Sequence, residues 1–282
     1  MADGYRFRLI DHSDEELKRT SALLRLVFRK ARHLTPRYLR WKYVDNPEGL
    51  AVGCNAYAGD EIVGTMTAVP MAGKLDGESR PGLFMLNGAV HPAHRGRKLQ
   101  SRISAAIFEE AVTRGFAFCF GTGNKYSTGP LLTRFRLVRS LEARIGIGLP
   151  RRRESDSPPS FERSWSEAAM RWRLANPKRD YKIGHVDGGS FVTAPTGMPG
   201  LEAVLYDGRE RWPAAGRRTP GPGLRLWIGL DPEIGWEGSR YMAIPERLRT
   251  SPLNLVFRDM SGGSYLPDPE RVAFRAADFD PY

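Results

Sequence analysis

The sequence predicts an α/β fold (α+β, mixed sheet) in the first half of the chain, followed by a strand-rich unit. Three observations carry that expectation. The apolar pattern over residues 5–148 switches between period two and period 3.6 in the order strand, two helices, three strands, helix, strand, helix, strand. The stretch Leu83–Asn124 sets an apolar strand, a short basic loop with one glycine and a helix in direct succession. Beyond residue 161 the apolar runs are short and read as further strands.

Tyr5–Ile10 alternates polar and apolar residues and forms the first strand. Ser13 with Glu16 makes a capping box for a helix from about Asp14 to Lys30, with Leu17, Leu24, Val27 and Phe28 inward. Thr35-Pro36 starts a second, short helix that carries Tyr38, Leu39, Trp41 and Tyr43 and ends before Asn46-Pro47. Ala51–Ala58 and Ile62–Pro70 are strands that turn at Gly59-Asp60, and a looser segment from Ala72 to Pro81 leads into the strand that ends at Val90. The next helix runs from about Leu99 to Thr113, with Leu99, Ile103, Ala106, Ile107, Glu110 and Ala111 on one face, and Gly115 ends it. Phe116–Gly121 is a buried strand, Asn124-Lys125-Tyr126-Ser127 opens a helical segment, and Arg139–Gly148 supplies the last strand or strands.

Residues 1–150 are thus expected as one domain, the polar, proline-bearing stretch 151–160 as a linker, and 161–282 as a second domain. Its strands are Tyr181–Val186, Phe191–Ala194, Leu201–Tyr206, Leu224–Leu230 and Leu253–Phe257. Before them, Arg171-Trp172-Arg173-Leu174-Ala175-Asn176-Pro177 echoes Arg40-Trp41-Lys42-Tyr43-Val44-Asp45-Asn46-Pro47, one residue shorter. Two readings stand: an internal duplication, or two unrelated helices that both halt at Asn-Pro. Gly208–Gly223 contains Pro213, Pro220 and Pro222 and cannot sustain a long helix, so the chemistry belongs to the first half.

The 282 residues are 41% hydrophobic, enough for a sizeable core, and no stretch approaches the roughly 20 apolar residues of a membrane span. The first eight residues resemble neither a signal nor a transit peptide. Cys54 and Cys119 lie in apolar runs, which suits reduced thiols in a cytoplasmic protein, and neither has a companion for a metal site. The net charge of +11 calls for an acidic partner. Nucleic acid is disfavoured, because the arginines are scattered and no recognised motif is present.

The helix that opens at Leu99 presents N–H groups with no intrahelical partner, and Arg95, Arg97 and Lys98 stand beside them. Such a site prefers phosphate. The same residues also describe an ordinary strand-to-helix turn whose arginines face water.

Val90-His91-Pro92-Ala93-His94-Arg95-Gly96-Arg97-Lys98-Leu99-Gln100-Ser101 resembles motif A of the GNAT N-acyltransferase superfamily, V-x-P-x-x-(R/Q)-G-x-G-x-(G/A). Arg95 and Gly96 match, whereas Lys98 and Gln100 stand where glycine and glycine or alanine are usual. The resemblance implies a GNAT fold over about residues 5–148, with the loop gripping the pyrophosphate of acetyl-CoA or another acyl-CoA. Arg95, Gly96, Arg97, Lys98, Leu99, Gln100 and Ser101 would form that grip, and the splayed strand at Gly88, Ala89 and Val90 would hold the pantetheine arm with Asn124. No metal is implied. Leu132 falls where the family has its tyrosine acid, which leaves Tyr126 as the nearest substitute, with Ser127 and Thr128 behind it.

The implied reaction is direct attack of an acceptor amine on the thioester, with strand N–H groups stabilising the oxyanion. The base is sought among His91, Glu78 and Asp278, the last in an acidic end, Asp278-Phe279-Asp280-Pro281-Tyr282, also seen in long GNAT-like proteins. Trp41, Tyr43 and Asn87 are candidate contacts to the acceptor, since the first two helices border that pocket in the family. The second half would cover the acceptor pocket or support a homodimer. Three functions follow: an N-acyltransferase acting on a small-molecule amine, a non-catalytic binder of acyl-CoA or an acyl carrier protein, and an acyl-carrier-dependent N-acyl synthase.

Overall fold

The computed structural model describes residues 4–153, 157–186, 189–212, 221–249 and 253–279. After β1 (Tyr5–Leu9), the Ser13 hydroxyl accepts the Glu16 N–H at 3.2 Å and starts α1 (Asp14–Val27). Glu16 does not complete the capping box. Its buried carboxylate instead accepts from Asp11 N, Asn55 Nδ2 and Tyr57 OH, tying the helix to the sheet. α1 stops at Val27 rather than near Lys30. Thr35 caps α2 (Pro36–Tyr43) in the same way, through the Tyr38 N–H.

β2 (Val52–Ala58), β3 (Glu61–Leu75) and β4 (Glu78–Val90) continue antiparallel from β1. The segment expected to be loose is the distal half of a long hairpin, turned by Asp76 and Gly77 at φ +46° and +86°. Asp-Gly is the residue pair that such a two-residue turn requires. Pro70 and Pro81 interrupt the sequence pattern there but still occupy paired positions in the ladder. α3 (Leu99–Thr113) lays Ile103, Ile107, Phe108 and Ala111 over this sheet, and β5 (Phe118–Gly123) pairs parallel with β4. A single-turn α4 (Thr128–Leu131) precedes β6 (Arg136–Ser140) and β7 (Glu142–Ile147).

The second half comprises β8 (Phe161–Arg163), α5 (Glu167–Leu174), β9 (Lys182–Val186), β10 (Gly189–Pro195), β11 (Leu201–Gly208), β12 (Leu224–Leu230), β13 (Tyr241–Ala243), β14 (Asn254–Asp259), β15 (Val272–Arg275) and α6 (Ala276–Phe279). It repeats the order of the first. Each half has a capped helix that stops at Asn-Pro, three antiparallel strands and a fourth parallel to the third: α2 with β2–β5, and α5 with β9–β12.

The halves then exchange a strand. β14 lies antiparallel between β5 and β6, and β7 lies antiparallel between β12 and β13. The division expected at 151–160 is therefore crossed in both directions. Leu255, Val256 and Phe257 are fully buried, so β14 is a core strand of the first-half sheet rather than an appended edge. Where the halves meet, Trp41 and Trp172 stack at 4.9 Å and 19°. Each indole N–H donates to the other residue's carbonyl, at 3.0 and 2.8 Å. A residue that contacts its own counterpart reciprocally is the signature of two-fold symmetry, and it favours the duplication reading.

Candidate active site

β4 and β5 pair only from Gly82 with Phe118 to Met85 with Gly121. Beyond that, β4 stays on β3 out to Val90, and β5 stays on β14 through Thr122 and Gly123. The strands part, and a cleft of about 630 Å³ opens between them. Asn87 and Gly88 together face Met66, a bulge in which Asn87 adopts φ +55° and its Nδ2 donates to Tyr43 OH at 2.6 Å. A Cβ on Gly88 would stand 2.8 Å from both Gln100 Nε2 and Met66 Cε, so a side chain here would push these two flexible side-chain ends aside.

The loop between β4 and α3 is held from outside. Tyr5 OH bonds His94 Nδ1 at 2.8 Å, and the Arg97 guanidinium lies 5.8 Å from the Tyr5 ring centre. Gly96 and Lys98 both have positive φ, +77° and +56°, which accounts for glycine at these two places in the motif. Lys98 is the N-cap of α3 and makes no side-chain cap, so the first-turn N–H groups face the loop without one.

The structure sorts the expected residues. Gly88, Arg95, Gln100, Ser101, Asn124, Tyr126 and Asn87 line the cleft. Asn124 Oδ1 accepts from Tyr126 N and Ser127 N at 2.9 and 3.1 Å and shapes the loop carrying Tyr126, whose side chain is 78% exposed at the cleft mouth. Ala89 and Leu99 are buried, so each can reach a ligand only through its main chain. Val90, Arg97 and Lys98 flank the cleft without lining it.

Several of the expected residues stand outside the cleft. Trp41 stacks on Trp172, and Tyr43 is buried behind Asn87 with burial pushing its hydroxyl up to about 12; neither side chain lines the cleft. His91 caps the turn at Pro92–His94 by accepting from Ala93 N, and it too stands outside. Glu78 pairs with Arg80 at the hairpin tip, ten residues along β4 from Gly88 and so roughly 30 Å away. Asp278 is buried, bonded to Trp165 Nε1 at 3.1 Å and Arg275 N at 2.7 Å, and burial raises its pKa. It lines a separate small cavity that shares Leu86 with the cleft. Residues 280–282 of the acidic end lie outside the described residues.

Sequence reasoning missed Val27 and Phe28 at the end of α1, and Ser104, Thr122, Thr133 and Arg134 across the cleft. Ser101 and Ser104, one helical turn apart on α3, were the available signal. Among the described residues no cluster of His, Cys, Asp or Glu could hold a metal, and no helix is long and apolar enough to cross a membrane.

Residues 8–135 match the family model of the acetyltransferase (GNAT) domain. No curated protein matches the chain in sequence. Among solved structures, an Enterococcus faecalis protein described as a probable N-acyltransferase superposes with TM-score 0.63 at 10% identity, covering 91% of this chain and 73% of its own. Eis1 from Mycobacterium abscessus gives 0.60 at 11%, covering 90% and 74%. A GCN5-related N-acetyltransferase from Kribbella flavida gives 0.59 at 12%, covering 91% and 72%. At these identities the likeness is one of fold. The motif loop and the splayed strands lie within residues 8–135, the segment that matches the acetyltransferase (GNAT) domain, and the chain shares the fold of these neighbours.

Proposed function

We propose that the protein is an acyl-CoA-dependent N-acyltransferase that moves an acyl group to the amine of a small-molecule acceptor. The observation that carries this is the opening between β4 and β5, which leads onto an uncapped helix N-terminus flanked by Arg95. A bound acyl-CoA supplies the activated acyl thioester. Main-chain amides from Gly96 to Ser101, with Arg95, would hold its phosphates, and Leu86–Val90 with Asn124 would hold the pantetheine arm. N–H groups of the bulge and of the strand toward Val90 would stabilise negative charge on the thioester carbonyl oxygen. The Tyr126 hydroxyl, at the cleft mouth, would protonate the departing thiolate.

A second reading is that the cleft holds acyl-CoA, or an acyl carrier's arm, without turnover. It is favoured because, among the described residues, no Asp, Glu or His lines the cleft to deprotonate an amine, and because Leu132 replaces the family's tyrosine. Calorimetry with CoA and thiol release from acetyl-CoA across an amine panel test both. Binding with release supports the transferase, and binding without release supports the holder. No CoA heat in the wild type refutes both, and release from acyl carrier protein alone would favour an acyl-carrier-dependent synthase using a cytoplasmic carrier.

A further inference from the structure

The positive charge of this chain is not spread evenly. Between Leu17 and Val44 there are nine Lys or Arg residues and no Asp or Glu, so that even with Asp14, Glu15 and Glu16 at its start the stretch from α1 through α2 carries +6 of the net +11. Some of these cations have evident structural partners: Arg19 lies over the Tyr57 ring, Arg40 pairs with Asp14, and Lys42 lies near Trp41 and Trp172. Arg25, Arg29 and Arg32 are different. All three are exposed, and among the described residues none has a carboxylate partner.

These three arginines line one open surface groove of about 610 Å³, together with Ala22, Leu26 and Phe28. That volume is in the range of small-molecule sites. Arg25 is in the last turn of α1, where a cation also suits the helix dipole, but Arg29 and Arg32 lie beyond the helix end and gain nothing from it. Phe28 lines this groove and the cleft alike, so the two are neighbours on one surface. Leu26 and Phe28, 47% and 37% exposed, give the groove an apolar wall beside its guanidinium groups. Guanidinium groups grouped in this way match phosphate or carboxylate oxygens, which they can bind in pairs of hydrogen bonds.

We propose that this groove binds the anionic part of the acceptor, and hence that the acceptor is a small amine carrying a phosphate or several carboxylates. The proposal rests on the transferase reading and narrows its substrate class. Direct attack needs the amine at the cleft, and an anchor on the adjoining groove would hold it there while leaving the amine end free.

The test is calorimetric titration of inorganic tripolyphosphate into CoA-saturated protein, for the wild type and for Arg25→Gln/Arg29→Gln/Arg32→Gln. The expected result is one site in the wild type, at least tenfold weaker in the triple variant, with CoA affinity unchanged within twofold. No tripolyphosphate binding by the wild type, or equal binding by the variant, overturns the proposal. A fall in CoA affinity in the variant also overturns it, because the arginines would then serve the donor. Competition identifies the source of the charge: displacement by glucosamine 6-phosphate indicates a phosphate, displacement by diglutamate indicates carboxylates, and both support the proposal. Displacement by neither, or equally by glucosamine, overturns it. Should CoA itself fail to bind, the transferase reading falls separately, and the same titration on an Arg95→Ala/Lys98→Ala background still decides whether the groove takes anions.

Discussion

The opening between β4 and β5 and the one between β11 and β12 begin alike and end differently. In each, a parallel pair runs together for four residues and then separates: Gly82–Met85 against Phe118–Gly121, and Leu201–Val204 against Leu224–Trp227. The first stays open. The second is filled by the chain itself. β15 takes the edge of β12 that β11 has left, pairing Arg275 with Gly229 and Phe274 with Leu230, and α6 packs against β11. Charge closes the rest: Arg275 bonds Asp231 at 2.8 Å, and Arg152 reaches Asp231 and Glu233 at 3.3 and 2.5 Å. Parting strands leave main-chain groups without ladder partners, and the two halves meet that demand with a ligand-sized space in one case and a strand in the other.

The largest expected effect tests the filled side. Asp231 is fully buried between two arginines; burial pushes its carboxyl up, but Arg275 and Arg152 outweigh this and hold it below the usual range. Asp231→Ala takes from buried Arg275 its salt-bridge carboxylate, while Arg152 keeps Glu233, and should cost about 3–5 kcal/mol in urea unfolding while CoA affinity is kept. Comparable losses of CoA binding and stability would show that the filled side also shapes the open one.

The next concerns pH. Burial pushes Asp207 up to about 7, with Arg152 offsetting part of the effect. Between the ordinary carboxylate range near 3.8 and pH 7, the folded protein keeps a proton that the unfolded chain has released. Stability therefore falls as pH rises across that window and levels off above it, by an amount on the order of 4 kcal/mol. Asp207→Asn should flatten this slope in unfolding curves taken from pH 4 to 8. A slope identical to the wild type would place the titration elsewhere.

On the open side, Arg95→Ala should weaken CoA binding 10- to 100-fold, the equivalent of one charge-assisted contact of about 1.5–3 kcal/mol, with Tm unchanged. The smallest effect separates backbone from charge at Lys98. Because this residue holds a left-handed conformation, Lys98→Gly should raise stability by about 1 kcal/mol. If CoA affinity also holds, the loop grips with its main chain; if affinity drops, the lysine charge contributes.

Much of this comparison was half visible in the residues. The Trp-bearing helices that stop at Asn46-Pro47 and Asn176-Pro177 are the echo legible in the sequence, and their Asn side chains do the same task, each accepting the N–H two residues on, at 3.1 and 3.0 Å. The loop at Arg95-Gly96 points to Gly88, Gln100 and Ser101, and the segment after Phe116–Gly121 points to Asn124; all four line the open cleft. The acceptor side was not. Trp41 and Tyr43 were assigned to it as aromatics on a bordering helix, yet their partners are Trp172, 131 residues away, and Asn87, 44 residues away, and no local pattern encodes such pairs. β8, β13 and β15 were missed because three or four residues are too few to display a period.

Local chemistry alone decided the elements: Ser13, Thr35 and Ser166 start helices by accepting backbone N–H groups, Asp76-Gly77 turns the long hairpin, and short apolar runs make β9 to β12 strands. Which strands lie side by side was left to the tertiary structure. An alternating pattern fixes the two faces of a strand but not its neighbour, because any edge offers the same N–H and C=O groups. Only burial within the assembled sheets sends β14 back to β5, gives β7 to β12, and leaves one of two similar openings free for a ligand.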